Sequence, residues 1–333
     1  MIRQFNAENC KENPPLRRRH FSADTADDLT STNVSLIARV SGEVTRSRVR
    51  LANLDGRAVI VTDHGPVDIA AASNGRFPST TDLVIPQLEA VRLWLDAVEP
   101  AVTSSMTPDE LSNNPRLGPV VERPSQIFAV GLNYRMHALE MNMTPPTKPM
   151  VFTKFGSSLA GATATFPVPS PRTDWESELV IIFAKRGRNV DRSDALSYVG
   201  GYCVGQDLSD RDLQMHGASA QFSLGKSYEN FSPIGPWLTT ADEVADPNAL
   251  RIMCDVNGLR YQDSTTGDMV FDVAELISYV STVCEIRAGD VMFTGSPHGV
   301  GQGQSPPVFL SPGDLVVTTI EGLGTLRNEA RAF

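Results

Sequence analysis

The stretch DWESELVII, residues 174–182, decides the fold. Leu179, Val180, Ile181 and Ile182, with Phe183 after them, make a short unbroken apolar run that reads as a buried strand. Glu176 and Glu178 stand two positions apart at its start. Alternate residues of a strand point to one face, so these carboxylates share a side. Like charges beside a core are costly unless something neutralises them. A divalent cation would do so, since carboxylate oxygens are natural ligands of Mg²⁺, Mn²⁺ or Ca²⁺. The alternative is a half-solvated strand end with two surface glutamates, an ordinary feature of soluble proteins.

Outward from this strand the chain divides. Residues 1–33 are polar and aperiodic and read as a flexible tail. From Val34, short strand-like runs (VSLIARVSGEV, VRLANLDGRAVIV, GPVDIAA) alternate with Gly and Asp turns. They lead into IPQLEAVRLWLDAVEP, which sets Leu88, Val91, Leu95 and Val98 on one helical face and stops at Pro100. A small β-rich N-terminal domain is expected over 34–105, then a proline-rich linker over 106–124. A larger unit, 125–333, holds many strand candidates, with Asn257-Gly258 as a hairpin turn between two of them. FDVAELISYVSTV is its clearest helix, with Val273, Leu276, Ile277 and Val280 on one face. Strands and helices do not alternate regularly, so the expectation is a strand-rich α+β fold rather than a doubly wound parallel sheet.

Composition excludes several classes. Formal charge is −10, from 29 Lys and Arg against 39 Asp and Glu, and the one basic cluster, Arg17–Arg19, is short, so nucleic acid is not the expected partner. Cys10, Cys203, Cys254 and Cys284 lack zinc or disulfide spacing and read as reduced thiols. No apolar run approaches the ~18 residues of a membrane span, and the N-terminus lacks a secretory apolar core. The expected location is the cytoplasm.

Four more segments carry candidate chemistry. GQDLSDRDLQ (205–214) places Asp207 at a strand end, where it could join Glu176 and Glu178; its other aspartates suit a helix N-terminus. GLNYRMHALEM (131–141) puts His137 and Glu140 at i and i+3, which on a helix either forms a surface ion pair or orients the imidazole as a base. LGKSYENFSPIGPW (224–237) holds Lys226 before a Pro/Gly turn but fails the phosphate-loop pattern, because position 220 is Ala. FTGSPHGVGQGQ (293–304) is a glycine-rich loop, suited to close backbone approach to a ligand or to a plain turn. His216 and His298 lie near these segments, whereas His20 and His64 read as surface residues.

Taken in order, these five segments resemble the fumarylacetoacetate hydrolase family over residues 125–331. The resemblance implies a mixed β-roll catalytic domain preceded by a small β-rich domain, and a homodimer. It implies a metal site of Glu176, Glu178 and Asp207 for Mg²⁺ or Mn²⁺, with Ca²⁺ a third candidate. His137 and Glu140 would be a water-activating dyad in a segment able to act as a lid. Arg211, Gln214 and Lys226 would surround the reacting carbonyl, and Tyr134, Ser296 and His298 would contact substrate. Gln206 and Ser296 stand where the family often has Asn and Thr, and the longer side chain at Gln206 with the extra imidazole at His298 points to a different substrate pocket. The implied activity is metal-dependent hydrolysis of a carbon–carbon bond in a 2,4-dioxo acid, an acylpyruvate or fumarylpyruvate. Alternatives are oxaloacetate decarboxylation, oxo-dienoate isomerisation or hydration, or a metal-dependent small-molecule binder without turnover.

Overall fold

The computed structural model describes residues 49–98, 100–217 and 219–333, and all of them belong to one compact unit. The expected tail and the VSLIARVSGEV run lie outside these residues. The described chain opens with an antiparallel meander, β1 (Arg50–Leu54), β2 (Arg57–Thr62) and β3 (Gly65–Asp68). Helix α1 (Leu88–Ala97) follows. It buries Leu88 and Val91 as its periodicity predicts, but Trp94 completes the buried face by packing edge-on against Phe77. Val98 lies beyond the last turn and is exposed. The stretch expected as a linker carries a one-turn helix, α2 (Pro108–Ser112), closed by a Thr107/Glu110 capping box, and buries Leu111, Leu117, Val120 and Val121.

Next come β4 (Ile127–Gly131), helix α3 (Arg135–Glu140), β5 (Met150–Thr153), β6 (Leu159–Ala160), β7 (Phe166–Val168), β8 (Thr173–Asp174), β9 (Ser177–Phe183) and β10 (Val199–Gln206). Strand β11 (Ser209–Asp210) leads into the one-turn helices α4 (Arg211–Gln214) and α5 (Phe222–Gly225), then β12 (Ser232–Thr240). The hairpin β13 (Arg251–Val256) and β14 (Leu259–Thr265) turns at Asn257-Gly258, both at positive φ as the sequence predicts. Helix α6 (Val273–Val283), capped by Asp272, and strands β15 (Val291–Phe293), β16 (Leu315–Ile320) and β17 (Gly324–Ala332) finish the chain.

Two mixed sheets result. The larger runs β3-β2-β1-β12-β10-β9-β15-β4-β5, with β6 added parallel to β12; the smaller runs β14-β13-β16-β17-β7. Strand β1 pairs with β12, Arg50 opposite Thr239, so the first three strands extend the larger sheet. Strand β9 is central and buried throughout. Leu179, Ile181 and Phe183 enter one apolar cluster and Val180 and Ile182 the other, which is why the run is unbroken instead of alternating. Each such side chain contributes roughly 1.5–3 kcal/mol of burial. The molecule is therefore a strand-rich α+β protein whose candidate acidic residues sit where β9 begins and β10 ends. Among the described residues, no helix is long and apolar enough to cross a membrane.

Candidate active site and metal centre

Antiparallel pairing sets Gly205 opposite Glu178 and Gln206 opposite Ser177, so the end of β10 lies beside the start of β9. This register brings Asp207 to the glutamate pair. One carboxylate oxygen from each of Glu176, Glu178 and Asp207 lies within 4.8 Å of the others, and all three residues are buried. The two glutamates are thus buried rather than a half-solvated strand end.

Cations hold two of the three acids. The Lys226 ammonium donates to Glu176 Oε2 and Asp207 Oδ2, both at 2.7 Å. Lys154, fully buried, donates to Asp207 Oδ1, the Lys226 carbonyl and the Phe231 carbonyl. Arg211 reaches Glu176 Oε1 at 2.7 Å, Asp174 Oδ2 at 2.8 Å and Gln214 Oε1 at 2.9 Å. Burial alone would push the Glu176 carboxyl up, but Lys226 and Arg211 overcome it and hold the group at about 2. Glu178 differs. Its one hydrogen bond comes from the Gly295 N–H at 2.7 Å, and among the described residues no lysine or arginine bonds it. Burial, then the charges of Asp207 and Glu176, push its carboxyl well above the usual range. An acidic oxygen in that state, beside two more, fits a hard divalent cation.

His137 and Glu140 meet as their spacing on α3 predicts, Nδ1 to Oε2 at 2.9 Å. The other oxygen of Glu140 accepts the Gly299 N–H at 2.8 Å, so the glycine-rich loop fixes the carboxylate that orients the imidazole. Gly303 makes this contact possible: a Cβ there would lie 2.3 Å from the Glu140 carboxyl carbon.

A cavity of about 370 Å³ opens over the cluster, its wall including His137, Glu176, Arg211, Gln214, Lys226 and Ser296. Two expected substrate contacts lie elsewhere. Tyr134 is fully buried in the core and His298 lies off the cavity wall, and among the described residues neither the Tyr134 hydroxyl nor His298 Nδ1 has a hydrogen-bond partner. His216 is exposed and also off the wall. Gln206, expected to shape the pocket, points away from it. Its amide accepts the Glu176 N–H at 2.9 Å and donates to Thr318 Oγ1 at 2.9 Å, bridging the two sheets behind the acids.

Sequence reasoning missed Lys154, Asp174 and Gln262. Asp174, fully buried, accepts from Arg211, from its neighbour Trp175 and from the Gly301 and Gln302 amides. Gln262 on β14 donates to Ser296 Oγ at 2.9 Å and accepts the Ser177 N–H at 3.0 Å, so Ser296 is held from the smaller sheet. Asp174 lies inside the decisive stretch, one residue before the tryptophan, which was signal enough to include it.

Residues 126–331 match the fumarylacetoacetate (FAA) hydrolase C-terminal family. A protein of Burkholderia cenocepacia (strain HI2424) carrying a hydrolase name is 43% identical over 233 residues, 69% of this chain and 80% of the relative. The crystal structure of an HpcE protein from Mycobacterium smegmatis superposes with a TM-score of 0.79 at 42% identity, covering 85% of this chain and 99% of that one. Maleylpyruvate hydrolase from Sphingobium sp. SYK-6, in complex with manganese (II) ion and pyruvate, gives a TM-score of 0.68 at 30% identity, with coverage of 85% and 99%. The chain belongs to the fumarylacetoacetate hydrolase family.

Proposed function

We propose that this protein is a divalent-metal-dependent hydrolase that cleaves a carbon–carbon bond of a 2,4-dioxo acid, acylpyruvate- or fumarylpyruvate-like. The observation that carries this reading is an oriented imidazole, His137 on Glu140, on the wall of the same cavity as Glu176 of the acidic cluster. A protein that only binds a ligand has no use for a general base there.

Glu176, Glu178 and Asp207 would hold Mg²⁺ or Mn²⁺. The bound cation supplies Lewis-acid stabilisation of the negative charge that develops on the oxo acid. Glu140 accepts the Nδ1 proton of His137 and leaves Nε2 to take a proton from water. The water oxygen adds to the C4 carbonyl, and Lys226, Arg211 and Gln214, all on the cavity wall, would donate to the oxygen that becomes negative. The C3–C4 bond breaks, its electron pair goes to C3, and C3 takes up the proton that His137 carries. The products are pyruvate and a second carboxylic acid. Ser296, on the wall, contacts the substrate.

The test is turnover of acetylpyruvate and of oxaloacetate with Mn²⁺ and with EDTA, for the wild type and His137→Ala. Metal-dependent formation of pyruvate from acetylpyruvate is expected, falling roughly 10²–10⁴-fold in the variant with Mn²⁺ affinity retained. Turnover of oxaloacetate alone, or a variant as active as wild type, would move the assignment to decarboxylation or isomerisation.

A further inference from the structure

The cavity lining also has an apolar part that the reaction above does not use. Met141, Met143, Met150 and Met215 line it together with Phe152 and Phe222. The two rings meet edge-on at 5.4 Å. Gly131 leaves room for this wall: a Cβ there would come within 2.3 Å of the Met150 methyl and 3.3 Å of the Phe222 ring. Methionine is unbranched and polarisable, and adapts to apolar groups of varied outline. Met143, Met150 and Met215 are partly exposed, so the wall continues to the mouth.

Charge decides what this wall can receive. Among the described residues of the cavity wall, the basic side chains besides His137 are Arg211 and Lys226. Arg211 is bonded to Asp174, Glu176 and Gln214, and Lys226 to Glu176 and Asp207. The two wall amides, Gln214 and Gln302, are neutral. A carboxylate lying against the methionines would lose water and gain no counter-charge, which is strongly unfavourable. The cavity's 370 Å³ is near the lower end of small-molecule pockets, roughly 300–1,000 Å³, so a charged tail has little room to turn elsewhere.

We propose that the methionine wall receives an uncharged, apolar acyl arm, so that the substrate carries one carboxylate and not two. The inference rests on the hydrolase reading for the word substrate, but the wall's preference can be measured without turnover. The experiment is calorimetry of the full-length Mn²⁺-loaded protein with two uncleavable 2-oxo acids, 2-oxohexanoate and 2-oxoadipate. They differ only in a terminal methyl against a terminal carboxylate. The first is expected to bind at least about tenfold tighter. Met215→Arg, at a residue 52% exposed and so tolerant of substitution, should narrow or reverse that ratio. Equal affinity, tighter binding of 2-oxoadipate, binding of neither, or a ratio unmoved by Met215→Arg would overturn the proposal. If the ordering holds while no acylpyruvate is hydrolysed, the hydrolase reading fails and the assignment of the wall stands.

Discussion

Tyr134 shows how far a residue's identity can mislead. A tyrosine in GLNYRMHALE invites a role toward substrate, yet its ring fills the core at the start of α3 and its hydroxyl meets no partner among the described residues. Burial, then the nearby Glu178 charge, raises the phenol further above its ordinary value, so it stays neutral. Removing a buried, unpaired hydroxyl while keeping the ring relieves a desolvation penalty. Tyr134→Phe should therefore leave stability unchanged or raise it by about 1 kcal/mol, read from thermal melting; a clear loss would show that the hydroxyl has a partner. Spacing made Glu176 with Glu178 and His137 with Glu140 legible, because i, i+2 on a strand and i, i+3 on a helix fix direction locally, and Asp207 was offered by its place at a strand end. Lys154 was illegible for the converse reason. A lone lysine after a strand says nothing about an aspartate 53 positions away.

At the scale of elements, periodicity predicted α6 and the Asn257-Gly258 turn predicted the β13–β14 hairpin, since both are governed by neighbours in sequence. It failed at the end of α1, where an aromatic contact with Phe77 turns Trp94 inward. The loop over 293–304 was legible as glycine-rich but not as the part that holds Glu178 and Glu140, since its work is done by backbone N–H groups that carry no sequence signature. That work makes it sensitive to one methyl group. Gly303→Ala would push the Glu140 carboxyl, the far end of a flexible side chain, out of register with His137. We expect a melting temperature lowered by the equivalent of about 1 kcal/mol or less. Turnover of acetylpyruvate should fall at least tenfold while Mn²⁺ affinity stays the same. Wild-type turnover would show that Glu140 does not orient the base.

On the scale of the whole molecule, strand-richness was readable but strand order was not. Pairings such as β1 with β12 join segments nearly 190 residues apart, and no local pattern encodes them. The two sheets meet behind the acids through Gln206, Thr318 and Gln262, so the site is held by the assembled body rather than by one motif. The proposed metal response belongs to this body. Because Glu178 binds its proton more tightly in the folded protein, its contribution to stability is fully present below the ordinary glutamate value of about 4.3 and is lost as pH rises through its raised value. A cation that displaces that proton gains as pH rises. Mn²⁺ should thus raise the melting temperature more at pH 8 than at pH 5.5, approaching about 2.7 kcal/mol at a hundred times its Kd. Equal shifts at the two pH values would mean that Glu178 is not a ligand.

The two lysines and the arginine that brace the acids also set the charge balance of the cluster. Asp174, Glu176, Glu178 and Asp207 outnumber Lys154, Arg211 and Lys226 by one when all are ionised. The proton that Glu178 holds cancels that excess, and its displacement by a doubly charged cation would leave the cluster net positive, which favours a single carboxylate. Under the proposed reading the order is cation first and organic acid second, and chelator should abolish binding of a 2-oxo acid before it unfolds the protein.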